Sequence, residues 1–152
     1  MATKIAYLLI AGVLTLFLLS SWAKKSTPIV TTPSFTQKMV TIGNSKLMVA
    51  VADTPEKERK GLMGITNMPE DVGMLFSFPN KDFQDFWNRN TLLSLDLIWV
   101  ADGHVVGVSN LPNEPKNGTV TVRSPKPVDT VIEVNSGWAG RHSVHAGSTV
   151  SP

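Results

Sequence analysis

The chain has 152 residues and not one cysteine. Disulfides, thiolate nucleophiles, Cys-ligated zinc and iron–sulfur clusters are thereby excluded. A bacterial lipoprotein anchor is excluded as well, because it needs a cysteine directly after the leader. Charge is sparse and nearly balanced: 14 Lys and Arg stand against 12 Asp and Glu, a net +2. Removal of a leader carrying Lys4 leaves 13 against 12, or +1. Binding to phosphate backbones needs a basic stripe, so no nucleic-acid partner is expected, and the pI near 9.0 reflects a small charge excess. There is no Gly-x-Ser-x-Gly, no phosphate loop and no dinucleotide fingerprint. Serine hydrolases, nucleotide-dependent enzymes and nicotinamide oxidoreductases are disfavoured, and no cofactor is expected. Internal repeats are absent, and the domain has no low-complexity region.

The longest apolar run is N-terminal. Lys4 precedes Ile5 to Leu19, and Ser21-Trp22-Ala23 offers small residues at −3 and −1 of a cleavage site. Residues 1–23 read as a signal peptide or as a retained N-terminal membrane anchor, since Ile5 to Ala23 just suffices to span a bilayer. Lys24-Lys25 slightly disfavours translocation. Either way the remainder is expected outside the cytoplasm: periplasmic, on the cell surface or secreted. Residues 24–36, with Pro28 and Pro33, read as a Ser/Thr/Pro linker.

Residues 37–152 read as one β-rich domain. Met39–Ile42 and Lys46–Val51 predict two strands around a Gly43-Asn44-Ser45 turn. Thr54-Pro55-Glu56 then supplies an N-cap, a first-turn proline and an acidic residue at the positive helix end, which predicts a short helix near residues 54–63 ending at Gly61 or Gly64. Further strands are expected over Gly73–Phe78, Gln84–Arg89, Leu95–Val100, His104–Leu111, Thr119–Arg123, Val128–Asn135 and near Thr149, with a hairpin turn at Ala101-Asp102-Gly103. The fold class is mainly β, α+β at the margin: a sandwich or jelly-roll-like, or barrel-like, domain with one short helix.

The aromatic residues crowd between Phe76 and Trp99, and a polar knot, Asn88-Arg89-Asn90-Thr91, interrupts them. Asp96 lies inside the apolar run Leu95–Val100. Strand alternation puts Asp96 on one face with Ile98 and Val100, and Glu133 on one face with Val131. Both acids therefore read as half-buried and in need of a partner, with Arg59 and Arg89 as the available cations. Three readings stay open. The residues form a buried ion-pair network, or a polar ligand pocket beside Trp87 and Trp99, or a general acid/base pair of Asp96 and Glu133.

Other chemistry-bearing residues have plainer explanations. His142-x-x-His145 offers at most two metal ligands with no evident third, so no metal site is expected. Met48, Met63, Met68 and Met74 read as core filler. Trp138, after Ser136-Gly137, covers a core edge or stacks on a ligand. Asn117-Gly118-Thr119 is a weak glycosylation sequon.

Taken in order, the segments resemble a known family. A hairpin is followed by Thr54-Pro55-Glu56-x-x-Arg59-x-Gly61-Leu62-Met63-Gly64, then Gly73-Met74-Leu75-Phe76. Phe86-Trp87-x-Arg89-Asn90-Thr91, Leu95-Asp96-Leu97-Ile98-Trp99-Val100, Asp102-Gly103-x-Val105-Val106 and Val131-Ile132-Glu133-Val134-Asn135-Ser136-Gly137 complete the set. This is similar to the prokaryotic family called domain of unknown function 192, over about Gln37 to Val150. The resemblance implies a small β-rich sandwich or jelly-roll domain, often with a signal peptide and without an agreed activity. Its signature positions match at Arg59, Gly61, Leu62, Met63, Gly73, Met74, Leu75, Phe76, Trp87, Asn90, Thr91, Leu95, Asp96 and Glu133. The chain departs from the pattern at Asn88, where Met is usual, at Arg89 for Lys, at Ser94 for Pro, and at Gly147-Ser148 for Gly-Asp.

The expected function is an extracytoplasmic binding or accessory module for a small-molecule or saccharide-like glycan ligand. Its site would comprise Trp87, Arg89, Asn90, Asp96, Glu133 and Arg59, with no catalytic residue assigned. The alternatives are a cell-envelope carbohydrate-active hydrolase or lyase using Asp96 and Glu133, and a purely structural envelope protein. The membrane would be a partner through the N-terminal segment if that segment is retained.

Overall fold

A computed structural model of the chain describes residues 35–152. The expected leader or anchor and all but the last two residues of the expected linker lie outside the described residues. Among the described residues, no helix is long and apolar enough to cross a membrane.

Among the described residues nine strands and three short helices follow one another: β1 (Thr36–Ile42), β2 (Ser45–Ala52), α1 (Pro55–Lys60), β3 (Val72–Asp82), β4 (Asp85–Trp87), β5 (Leu95–Ala101), β6 (His104–Leu111), α2 (Glu114–Asn117), β7 (Thr121–Arg123), β8 (Val128–Asn135), α3 (Trp138–Arg141) and β9 (Val150–Ser151). Seven strands form one sheet in the order β6-β5-β8-β3-β2-β1-β9, and β4 with β7 forms a separate two-stranded piece. The sheet curls into a half-barrel, the barrel-like form of the expected β fold. Its ends are brought together by the C-terminal segment. β9 pairs with β1 through Ile42 and Val150, while Thr149 bridges His104 at the start of β6. The Val105 and Val150 amides donate to the Ser148 and Gly103 carbonyls across the same seam. Backbone groups that would otherwise lie open at both sheet edges are satisfied there.

Local sequence accounts for most elements. The Gly43-Asn44 turn joins β1 to β2, with Gly43 at φ 59°, and Asp102-Gly103, both at positive φ, closes the β5–β6 hairpin. Thr54 caps α1 by accepting from the Lys57 amide, and Pro55 takes the first turn. α1 ends at Lys60, shorter than its pattern, because Gly61 turns out of the helix at φ 44°, ψ −137°. Sequence pattern does not reveal that β2 and β3 are parallel, so α1 is the crossover of a βαβ unit. It also does not reveal α2 or α3, each four residues long.

The sheet is buried on both faces. Inside the curl lie Val40, Ile42, Leu47, Val49, Ile98, Val100, Ile132, Val134 and Trp138. On the other face Phe76, Leu95, Leu97, Trp99, Val128 and Val131 pack beneath Leu62, Met68 and the aromatic Phe86. β5 is accordingly buried from Leu95 to Val100 without a break. Gly73 leaves no room for a side chain beside β8: a Cβ there would stand 2.6 Å from the Glu133 carbonyl oxygen. Of the methionines, Met68 and Met74 are core residues, while Met63 lines the cleft described next.

Candidate functional site

The polar residues of the aromatic region separate once the chain is folded. Asn88 is completely buried. Its Nδ2 donates to the carbonyls of Pro112 and Gly118, each at 2.8 Å, and its Oδ1 accepts from the Val120 amide at 2.8 Å. Both amide donors and the carbonyl oxygen of that side chain are thus engaged in holding β4 against the 112–120 loop. Asn90 stands at φ 54°. Its amide donates to Glu114 Oε2 at 2.7 Å, and its carbonyl accepts from the Gly64 amide. The bonds from Thr119 and from the Asn90 amide hold the Glu114 carboxyl below its usual range. Arg89 is exposed, with its guanidinium 5.5 Å from the centre of the Trp87 ring.

The expected ion-pair network does not form. Asp96 lies opposite Val134, and Leu97 lies opposite Glu133. Asp96 therefore faces the inside of the curl and Glu133 faces outward. Asp96 Oδ2 accepts from the Ala139 amide at 3.1 Å, in the first turn of α3, so its partner is backbone and not an arginine. Arg59 turns outward to Glu56 at 3.4 Å. The two carboxyls sit on opposite sides of one sheet and cannot act together on one bond, which removes the Asp96–Glu133 acid/base pair. His142 is half-buried. It stacks on Trp138 with ring centres 4.3 Å apart and bonds Ser45 Oγ through Nδ1 at 3.0 Å. Trp138 itself is buried in the inner core. Among the described residues no three His, Asp or Glu side chains converge.

Glu133 is the unusual group. It is 5 % exposed, and among the described residues its Oε2 is the one buried side-chain polar atom with no hydrogen-bond partner. Burial pushes its carboxyl up to about 8, so the acid is mostly protonated at neutral pH. The side chain forms the floor of a cleft between the end of α1 and β4. Gly61, Met63, Phe76, Phe86, Trp87 and Thr91 line it around Glu133, with Glu58, Arg59 and Lys60 at the α1 side. Phe86 meets Phe76 edge-on at 5.0 Å and Trp99 at 5.6 Å, which fixes the aromatic wall. The cavity is about 30 Å³, enough for one small polar group. Gly61 keeps it open. A Cβ at that position would lie 3.7 Å from the tip of Phe76, 3.8 Å from the Glu58 carbonyl oxygen and 4.0 Å from Glu133 Oε2.

Three of the residues expected at a site, Arg59, Trp87 and Glu133, meet at this cleft. Arg89 reaches it only through the Trp87 ring, while Asn90 and Asp96 are engaged elsewhere. Gly61, Met63, Phe76, Phe86 and Thr91 were not expected as site residues, although all but Phe86 belong to the family-like signature. The inward register of Phe86 between two outward residues, Asp85 and Trp87, was the remaining signal.

Among the described residues, fold and cleft together define a small β domain with a polar-floored, aromatic-walled recess on the outer face of a curled sheet. The chain belongs to the DUF192 family, described as an uncharacterized ACR, whose model matches residues 38–152. Two solved structures are similar. One is a candidate transcription regulator from Sinorhizobium meliloti 1021, 28 % identical with a TM-score of 0.71, covering 78 % of this chain and 95 % of that one. Another is a protein of unknown function from Novosphingobium aromaticivorans, 26 % identical with a TM-score of 0.73, covering 83 % and 90 %. No curated protein matches the chain.

Proposed function

We propose that this protein is a non-enzymatic binding or accessory domain working outside the cytoplasm, and that its small-molecule or saccharide-like ligand inserts one polar group into the cleft above Glu133. One observation carries the reading: a buried carboxyl oxygen with no hydrogen-bond partner among the described residues borders an opening lined by aromatic side chains. Leaving such an atom unsatisfied costs about 1–3 kcal/mol, and a ligand that satisfies it recovers that cost. Trp87, 46 % exposed at the rim, offers a face on which a ring can stack. The extracytoplasmic placement rests on the leader-like run after Lys4.

Glu133 is the buried carboxyl of the cleft, with Glu58 at its α1 side, and it is a recognition element in this reading. The name of the Sinorhizobium protein does not redirect it. Residues 35–152 carry all 12 acidic residues but 11 of the 14 basic ones, since Lys4, Lys24 and Lys25 precede them, a net −1. Duplex binding needs a basic face. The test is a glycan and metabolite screen on the full chain, read by NMR, beside Glu133→Gln and Trp87→Ala. Ligands that perturb the amides of Gly61 and Phe86, and bind more weakly to both variants, are expected. Absence of any ligand would favour a purely structural envelope protein.

A further inference from the structure

We propose that the group received by this cleft is an alkylammonium, held between Glu133 Oε2 and the Glu58 carbonyl oxygen with the aromatic wall around its alkyl part. The inference rests on the binding reading above and names the ligand chemistry. Two oxygens lie within contact distance of the point where a Gly61 side chain would stand, the Glu58 carbonyl at 3.8 Å and Glu133 Oε2 at 4.0 Å. The Glu58 carbonyl belongs to the last turn of α1, the negative end of the helix. A ligand carbonyl or carboxylate placed there would meet that carbonyl's lone pairs, whereas an N–H donor satisfies both oxygens at once. Phe76, Phe86, Trp87 and Met63 surround the same space, a setting that favours a soft cation. About 30 Å³ admits an ammonium head and excludes a sugar ring.

The charges facing Glu133 are few. From α1 come Glu58, Arg59 and Lys60, and Glu56 offsets Arg59. Beyond β4, Arg89 lies over Trp87. β3 presents Met74 opposite it, with Phe76 lining the same cleft, β5 presents Leu97, and Asp96 is on the far face. The rim cations suit a ligand with an anionic group a few bonds from its amine. Because the empty acid holds its proton at neutral pH, seating a permanent cation ionises it: the carboxyl O–H breaks, its proton passes to buffer, and the ammonium keeps its charge.

The experiment is calorimetric titration of the full chain at pH 7 with methylammonium, ethylammonium and Nα-acetyl-lysine methylamide, in two buffers of different ionisation enthalpy. N-Methylacetamide and N-acetylglucosamine serve as neutral probes. The expected result is binding of at least one cation with release of close to one proton, and at least tenfold weaker binding with no release in Glu133→Gln. The free amines and the lysine derivative separate a small-molecule source from a peptide side chain. Binding of cations without proton release, or equally to Glu133→Gln, overturns the proposal. Binding of the neutral probes alone, sensitive to Glu133→Gln, overturns it but leaves the binding reading standing; no binding by any probe counts against both.

Discussion

Glu133 and Asp96 lie one register step apart on neighbouring strands and point to opposite faces of the same sheet. Asp96 stabilises a turn of helix inside the curl, while Glu133 sits without a partner beneath the cleft. The two acids resemble one another in sequence, yet they have separate consequences that can be measured separately.

Stability should depend on pH through Glu133. Its folded-state value, about 8, lies above the ordinary 4.5. The folded state therefore holds the proton more tightly than the unfolded chain. The contribution is fully present below about pH 4.5 and is lost as pH rises through 8. Chemical denaturation from pH 4 to 9 should show a fall on the order of a few kcal/mol, absent in Glu133→Gln. A flat difference between the two proteins across that range would contradict the assignment.

Asp96→Ala should act on stability and not on the cleft. It leaves the Ala139 amide buried without its acceptor, a cost of about 1–3 kcal/mol. Urea denaturation should register that loss, and the near-UV signal of Trp138 should change. Cleft ligands should bind as they do to the natural chain, because Asp96 faces the other side.

Asn88→Ala should loosen the wall that carries Trp87. Three backbone groups, at Pro112, Gly118 and Val120, lose their partner together. The expected cost is about 3 kcal/mol, larger than for a single buried bond. Hydrogen exchange should quicken in residues 112–120 first.

Two glycines should resist substitution for different reasons. Gly73→Ala drives a Cβ to 2.6 Å from the Glu133 carbonyl oxygen. Backbone cannot yield there without parting β3 from β8, so a loss of about 3 kcal/mol is expected by denaturation. Gly61→Ala meets only ordinary contacts but must hold φ 44°, at a cost of about 1–3 kcal/mol. Its methyl occupies the space above Glu133, so ligand binding should fall more than stability does.

What was readable in sequence and what was not divides along physical lines. The α1 start was readable because Thr54-Pro55-Glu56 acts within one turn of chain. The β5–β6 turn was readable because Asp102-Gly103 tolerates positive φ locally. The faces of Asp96 and Glu133 followed from strand alternation, and each does share its face with the neighbours expected. Their partners did not follow. Arg59 and Arg89 were the nearest cations by composition, but a backbone amide of α3 took Asp96, and nothing took Glu133. α3 itself was hidden because four residues give no periodicity, and what holds it is the packing of Trp138 and the bond from Asp96.

By itself, then, the sequence determined the β-rich class, the strand and turn positions, the family and the burial of two acids, because each depends on local conformational preference or on a period of two. Only the tertiary structure decided that β2 and β3 run parallel, that the C-terminal strand joins the edges of the curl, and that Gly61, Phe76, Phe86, Thr91 and Glu133 surround one opening. Those outcomes depend on which strands become neighbours, and residues separated by more than seventy positions, Gly61 and Glu133 among them, meet only when that pairing is complete.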